Sequence, residues 1–272
     1  RDWSSDVCSS DLKELTIGTA VPSKKELKAV KHHCIQHKSI LDTYTIKDFE
    51  KEVLIIINNE FKNNDYIIMS GGSGLYMDAV INGLDNFPKT DDKVRKQLNS
   101  ELNKFGIEYL QKKLNKLDPL YYNNVDKQNP RRLIRALEIC ISSNKPYSSF
   151  IGKQKNIHEF NLFNMAMNIK REILYNKINL RVDKMIDDGL LEEVKTLIIH
   201  KELNTLNTIG YKELFLFIEK KLTFEQSIEE IKKNSRRFAK RQITWLKRKE
   251  DIIWVNNDVT PEEIKRNYFD FK

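Results

Sequence analysis

Three short stretches of this chain carry residue types suited to holding an anion. The first is Gly71-Gly72-Ser73-Gly74-Leu75-Tyr76, which follows the apolar run Tyr66 to Met69 and opens a helical pattern that Gly83 stops. A glycine turn at a helix N-terminus presents backbone N–H groups, and Ser73 adds a hydroxyl, so the turn suits phosphate. A tight structural turn explains the same glycines. The second stretch runs from Ile231 to Lys249 and holds nine Lys and Arg with no Asp or Glu. The chain has a formal charge of +8, so the rest of it is close to neutral. A positive stripe this compact is an electrostatic footprint for nucleic-acid phosphate. Phe238 and Trp245 are two helical turns apart and share one face, which is expected to pack inward. Arg237, Arg241, Thr244 and Arg248 follow a neighbouring face. A solvated charged helix with an aromatic core stripe is the competing reading. The third stretch opens at Asn129-Pro130, where Arg131, Arg132 and Arg135 follow a helix start. Cations in a first turn oppose the helix dipole, so a phosphate partner explains them better than local stability does.

Other chemistry is less well supported. His32, His33, Cys34 and His37 could place three metal ligands on one helical face. No second Cys or His cluster completes four ligands, and His158 and His200 are isolated, so no metal site is expected among this chain's own residues. No nucleophile, histidine and aspartate arrangement follows from the spacing.

The elements that must position these residues can be read coarsely. Thr45 caps an expected helix over residues 46–63, and Tyr66 to Met69 reads as a short buried strand entering the glycine turn. Strand, glycine turn and helix make up the unit of a parallel α/β sheet. Residues 91–150 are helical and highly charged. A returning strand is expected over 162–169, helices near 172–187, 190–200, 212–220 and 224–248, and a last strand over 252–255. The expected architecture is an α/β core, residues 13–90 and 156–272, interrupted by a helical insertion over 91–155.

With 272 residues, 40% of them hydrophobic, the chain can bury a full core in one large domain or two modest ones. The longest apolar run, Val53 to Ile57, is far too short to span a bilayer, so no membrane association is expected. Cys8, Cys34 and Cys140 are odd in number and widely spaced, which argues for a reducing cytoplasm rather than a disulfide scaffold. Arg1 to Leu12 has neither a starting Met nor an apolar leader core, and Trp3 to Leu12 resembles a translated sequencing adapter. Native sequence is expected to begin near Lys13.

Taken in order, five segments resemble the tRNA dimethylallyltransferases, the isopentenyl-tRNA transferases. They are Ile17-Gly18-Thr19-Ala20-Val21-Pro22-Ser23, Gly71 to Tyr76, Asn129-Pro130-Arg131-Arg132-Leu133-Ile134-Arg135-Ala136-Leu137-Glu138, Thr208-Ile209-Gly210-Tyr211-Lys212-Glu213, and Ala239-Lys240-Arg241-Gln242-Ile243-Thr244-Trp245-Leu246. Their order over roughly Leu15 to Val255 is what makes the resemblance specific. It implies a P-loop-type parallel-sheet core with a helical insertion domain, and monomeric action on a tRNA anticodon stem-loop. The implied reaction uses dimethylallyl diphosphate and Mg²⁺ to prenylate N6 of the adenosine 3′-adjacent to the anticodon.

By that resemblance Ser73 stands where the family usually has Thr, near the reacting amine and the diphosphate, with Gly71 and Gly72 beside it. Arg181 looks like the family arginine that faces the diphosphate. Arg95, Arg131, Arg132 and Arg135 would hold tRNA. So would Thr208, Gly210, Tyr211 and Lys212, and Lys240, Arg241, Gln242, Thr244, Trp245 and Lys247. The departure is upstream. The family's phosphate loop ending in Gly-Lys-Ser/Thr, and the following strand with its general-base Asp, are absent from these residues. The first core strands are thus expected to be missing, and this polypeptide to be inactive alone. A non-catalytic tRNA-binding protein is the alternative. A nucleotide kinase is a third reading, but it leaves Gln242-Ile243-Thr244-Trp245 without a role.

Overall fold

The computed structural model describes residues 9–19, 21–152 and 158–268. Arg1 to Cys8 of the adapter-like run lie outside the described residues, as does Ala20. The described chain divides into two compact units, one holding residues 44–67 and 75–152 and the other residues 9–43, 68–74 and 158–268.

Helix α1 (Lys24–Ala29) starts at a Ser23/Glu26 capping box. After it the chain bends, because Cys34 and Gln36 take left-handed φ of 58° and 48°. A helical face that could gather His33, Cys34 and His37 therefore does not form. The Gln36 amide instead donates to the carbonyls of Lys13 and Leu15, at 3.3 and 3.1 Å, and to the Thr16 hydroxyl at 2.9 Å. A single parallel bridge joins Leu12 to Lys38, and Leu12 is buried at 1% exposure.

In the first unit, α2 (Ile46–Glu60) starts at a capping box in which the Thr45 hydroxyl accepts from Asp48 and the Asp48 carboxylate accepts in return. Its inward face is Ile46, Phe49, Val53 and Ile57, at helical spacing. Phe49 meets Tyr76 of α3 (Gly74–Asn82) with ring centroids 4.4 Å apart. Helices α4 (Asp92–Phe105), α5 (Ile107–Leu117), α6 (Pro119–Asn124) and α7 (Pro130–Ser143) follow. They close around Leu98, Leu110, Leu114, Leu133 and Leu137, each at most 1% exposed. Burying each such side chain contributes roughly 1.5–3 kcal/mol. Asp118 caps α6 and also accepts the Ser148 amide and hydroxyl at 2.7 and 2.9 Å, which ties the segment after α7 back to this bundle.

In the second unit, β1 (Asn164–Asn168) and β2 (Ile252–Asn256) pair in parallel, from Asn164 opposite Ile252 to Asn168 opposite Asn256. Parallel neighbours need a long crossover. Here it is α8 (Arg171–Asp187), α9 (Leu190–Thr196), α10 (Tyr211–Ile218) and α11 (Phe224–Leu246), and α12 (Pro261–Tyr268) follows β2. The core joins Leu12 and Leu15 to Val182, Leu190, Val194, Leu206, Tyr211, Leu214 and Ile231. The fold is α/β, with helices and a small parallel sheet.

Two expectations fail. Tyr66 to Met69 is not a strand; Tyr66 is 67% exposed and Ile68 91%. An apolar run becomes a strand only when another strand takes its backbone hydrogen bonds, and among the described residues only β1 and β2 form a ladder. Phe238 does not pack inward; it is 39% exposed, and the buried residues of α11 are Ser227, Ile231 and Ala239. None of the described helices is long and apolar enough to cross a membrane.

Candidate active site and nucleic-acid interface

The glycine turn is held by α11. The Gln242 amide donates to the Gly72 carbonyl at 2.6 Å, and Trp245 lies flat against Gly74. A Cβ added to Gly74 would meet the indole at 2.5 Å, and one added to Gly72 would run into the Gln242 amide. Gly71 has nothing within 4 Å of that position. Gly72 and Gly74 are thus required by close approach, while Ser73 sits between them half-buried. Arg181 is exposed on α8.

Along α11 the charge is ordered. Glu225 lies in the first turn, where it complements the helix dipole, and the Lys/Arg run fills the second half. The N-terminal half is anchored in the core by Phe224, Ile228 and Ile231. Arg237, Lys240, Arg241, Thr244, Lys247 and Arg248 are exposed, and Thr244 returns its hydroxyl to the Lys240 carbonyl at 2.8 Å. The Arg241 guanidinium lies 5.6 Å from the Phe238 ring centroid and the Lys249 ammonium 5.1 Å from that of Trp245. Phe238 therefore packs with its own helix's cation rather than with the core.

The Thr208 to Glu213 segment is mostly internal. Tyr211 is fully buried and its hydroxyl donates to Glu193 Oε1 at 2.5 Å. Burial first, and then that carboxylate, push the Tyr211 phenol far above its ordinary range. Glu193 also accepts the backbone N–H groups of Thr16, Ile17 and Gly18, at 3.1, 2.9 and 3.3 Å. The Tyr211 ring covers Gly18, where a Cβ would overlap it. Gly210, at φ 100°, donates its N–H to Glu213, whose other oxygen accepts from Asn234 of α11 at 2.8 Å. Thr208 and Lys212 are half-buried, and the Lys212 ammonium is 3.7 Å from Glu213. Sequence reasoning missed Glu193 entirely. Its three backbone donors lie some 175 residues away, and nothing local marks it.

In the other unit the four arginines separate into two kinds. Arg95 grips Glu138 through Nε and Nη2, at 3.1 and 2.9 Å, and Arg135 reaches the same carboxylate at 3.0 Å. Glu138 is 2% exposed; Arg95 ties α4 to α7 through it, and Arg135 braces the same carboxylate from within α7. The Arg135 guanidinium also lies 5.7 Å from the Phe87 ring centroid. Arg131 and Arg132, in the first turn of α7, are exposed.

A family model described as IPP transferase matches residues 12–249. The tRNA dimethylallyltransferase of Christiangramia forsetii is 48% identical over 275 residues, an alignment covering 100% of this chain and 90% of that protein. The one from Flavobacterium johnsoniae is 49% identical over 258 residues, covering 93% of this chain and 84% of its own length. Among solved structures, the full-length tRNA isopentenylpyrophosphate transferase of Bacillus halodurans superposes with a TM-score of 0.66 at 30% identity, covering 95% of this chain and 82% of that one.

Proposed function

This chain belongs to the IPP transferase family, and on that premise we propose that it serves the transfer of a dimethylallyl group from dimethylallyl diphosphate to N6 of the adenosine 3′-adjacent to the anticodon of tRNA. The observation that carries the reading is the bond from Gln242 to the Gly72 carbonyl. It fixes the outward-facing cations of α11 to the turn that presents Ser73. A helix that holds RNA phosphates and a hydroxyl that meets the reacting group then belong to one rigid arrangement.

In the proposed reaction the adenine leaves the anticodon-loop stack. Its exocyclic nitrogen forms a bond to the allylic carbon as the carbon–oxygen bond to diphosphate breaks, and the nitrogen loses a proton to a base. Ser73 aligns the amine and the diphosphate through its hydroxyl, and Arg181 offsets charge on the departing diphosphate. Arg131 and Arg132 on α7, Lys240 and Arg241 on α11, and Lys247 at its C-terminal end hold the RNA backbone. Arg95, Arg135, Gly210, Tyr211, Gln242 and Trp245 act from inside, by fixing the elements that bear those contacts. Mg²⁺ does not fit the groups that touch the turn. They are an amide and an indole, with cations along the same helix. No step is assigned to it.

Residues 1–272 contain no Gly-Lys-Ser/Thr loop and no matching Asp strand. We expect residues 1–272 alone to bind the anticodon stem-loop without prenylating it, and to transfer once the family's P-loop segment is joined in frame ahead of Lys13. Mass spectrometry of nucleosides from tRNA incubated with each form checks this. Prenyladenosine made by residues 1–272 alone contradicts it. In the extended form, Ser73→Ala should lower kcat far more than it weakens tRNA binding.

A further inference from the structure

Helices α8 and α11 lie antiparallel, with side-chain partners that step by four residues. Asp183 meets Lys232 at 2.7 Å, and one turn on Asn179 accepts from Arg236 at 2.6 Å. The next steps bring Tyr175 level with Lys240, and Arg171 level with Thr244. The α8 partner thus changes from an acid to an amide, then a phenol, then a cation, while α11 presents Lys232, Arg236 and Lys240 and then Thr244. At the end of this ladder Arg171, Tyr175, Lys240, Ile243, Thr244 and Lys247 line a cavity of about 110 Å³. That is room for a few waters, each about 30 Å³, or for one tetrahedral oxyanion.

No carboxylate lines this cavity, and among the described residues Arg171, Lys240 and Lys247 make no ion pair. Three cations converging without a counter-charge repel one another, and an anion between them removes that cost. Tyr175 adds a hydroxyl donor, while the Thr244 hydroxyl is already given to the Lys240 carbonyl. Arg171 also opposes the dipole at the start of α8, where local stability would favour an acid.

We propose that this cavity is a subsite for a single phosphate group, with Arg171 and Tyr175 of α8 completing a clamp begun by Lys240 and Lys247. Arg171 stands ten residues before Arg181 on the same helix, about 15 Å along its axis. The phosphate held here is thus separate from the diphosphate assigned to Arg181. The group is either an RNA phosphodiester, which rests on the tRNA reading above, or a free phosphate ion.

Two measurements on residues 1–272 separate these sources. In the first, binding of an anticodon stem-loop RNA is followed against salt for the native chain, Arg171→Gln and Lys247→Gln, with Lys184→Gln as a control on the same helix. An RNA phosphate predicts that the slope of log affinity on log salt falls by about 1 in each of the first two variants and not in the control. In the second, Tm is compared in phosphate and in chloride at equal ionic strength. A free-phosphate site predicts a rise in phosphate that Arg171→Gln abolishes, and this arm reads out even if the native chain binds no RNA. Arg171 and Lys247 are exposed, so unchanged Tm values in chloride show that the variants fold. A slope that falls equally in Lys184→Gln, or no change in either arm, overturns the subsite.

Discussion

Gly72 and Gly74 owe their identity to two side chains of α11, and Gly18 owes its own to Tyr211. Glycine at such a position makes room for a neighbour, and adding a methyl group there forces that neighbour to move. Gly74→Ala should therefore cost about 1–3 kcal/mol, because the Trp245 indole is broad and cannot swing aside cheaply. Gly71→Ala, which meets open space, should stay within about 0.5 kcal/mol. Urea denaturation of the two variants checks the contrast, and equal costs would break the packing argument. Tyr211→Phe keeps the ring over Gly18 and removes one donor from Glu193. It should cost about 1.5 kcal/mol, read as a lower urea midpoint with an unchanged slope. Among the arginines, exposure separates two roles that the sequence groups together. Arg95 and Arg135 converge on buried Glu138, whereas Arg131 and Arg132 face solvent.

At the scale of elements, α11 is two devices in one helix. Its first half is core, through Phe224, Ile228 and Ile231, and its second half carries the cations outward. Arg241→Ala should weaken stem-loop RNA binding and flatten its salt dependence while leaving Tm within a degree or two. Unchanged affinity would remove this face from the interface. Helices α4 and α7 depend on one carboxylate. Glu138→Ala leaves two cations facing each other, and because both are about one-quarter exposed the cost should be about 2–3 kcal/mol, below that of a fully buried pair. A denaturation midpoint no lower than that of the native chain would contradict it. Tyr66 to Met69 carries an element-scale lesson as well. Its apolar residues are strand-like, yet strand formation is a property of pairs, and its backbone lies outside any ladder among the described residues.

For the whole molecule, the helix starts, the positions of the two strands and the basic helix were legible in the amino-acid order, whereas the pairing of β1 with β2 was not. Thr45, Asn129-Pro130 and Gly83 act within one turn of themselves, and β1, α8 and β2 fall within a few residues of their expected places. The five ordered segments were enough to indicate the family, because each is a contiguous run. What the tertiary structure alone decided is how each residue in those runs is used. Glu193 serves three amides near Thr16 and the phenol of Tyr211, Gln242 serves Gly72, and Arg171 ends a ladder of partners that begins at Asp183. These pairings join positions separated by tens to more than a hundred residues. Residue type states what a side chain can donate or accept. Only the packed backbone brings the partner within 3 Å, and so decides whether a cation is bound inside the protein or left facing outward for a phosphate.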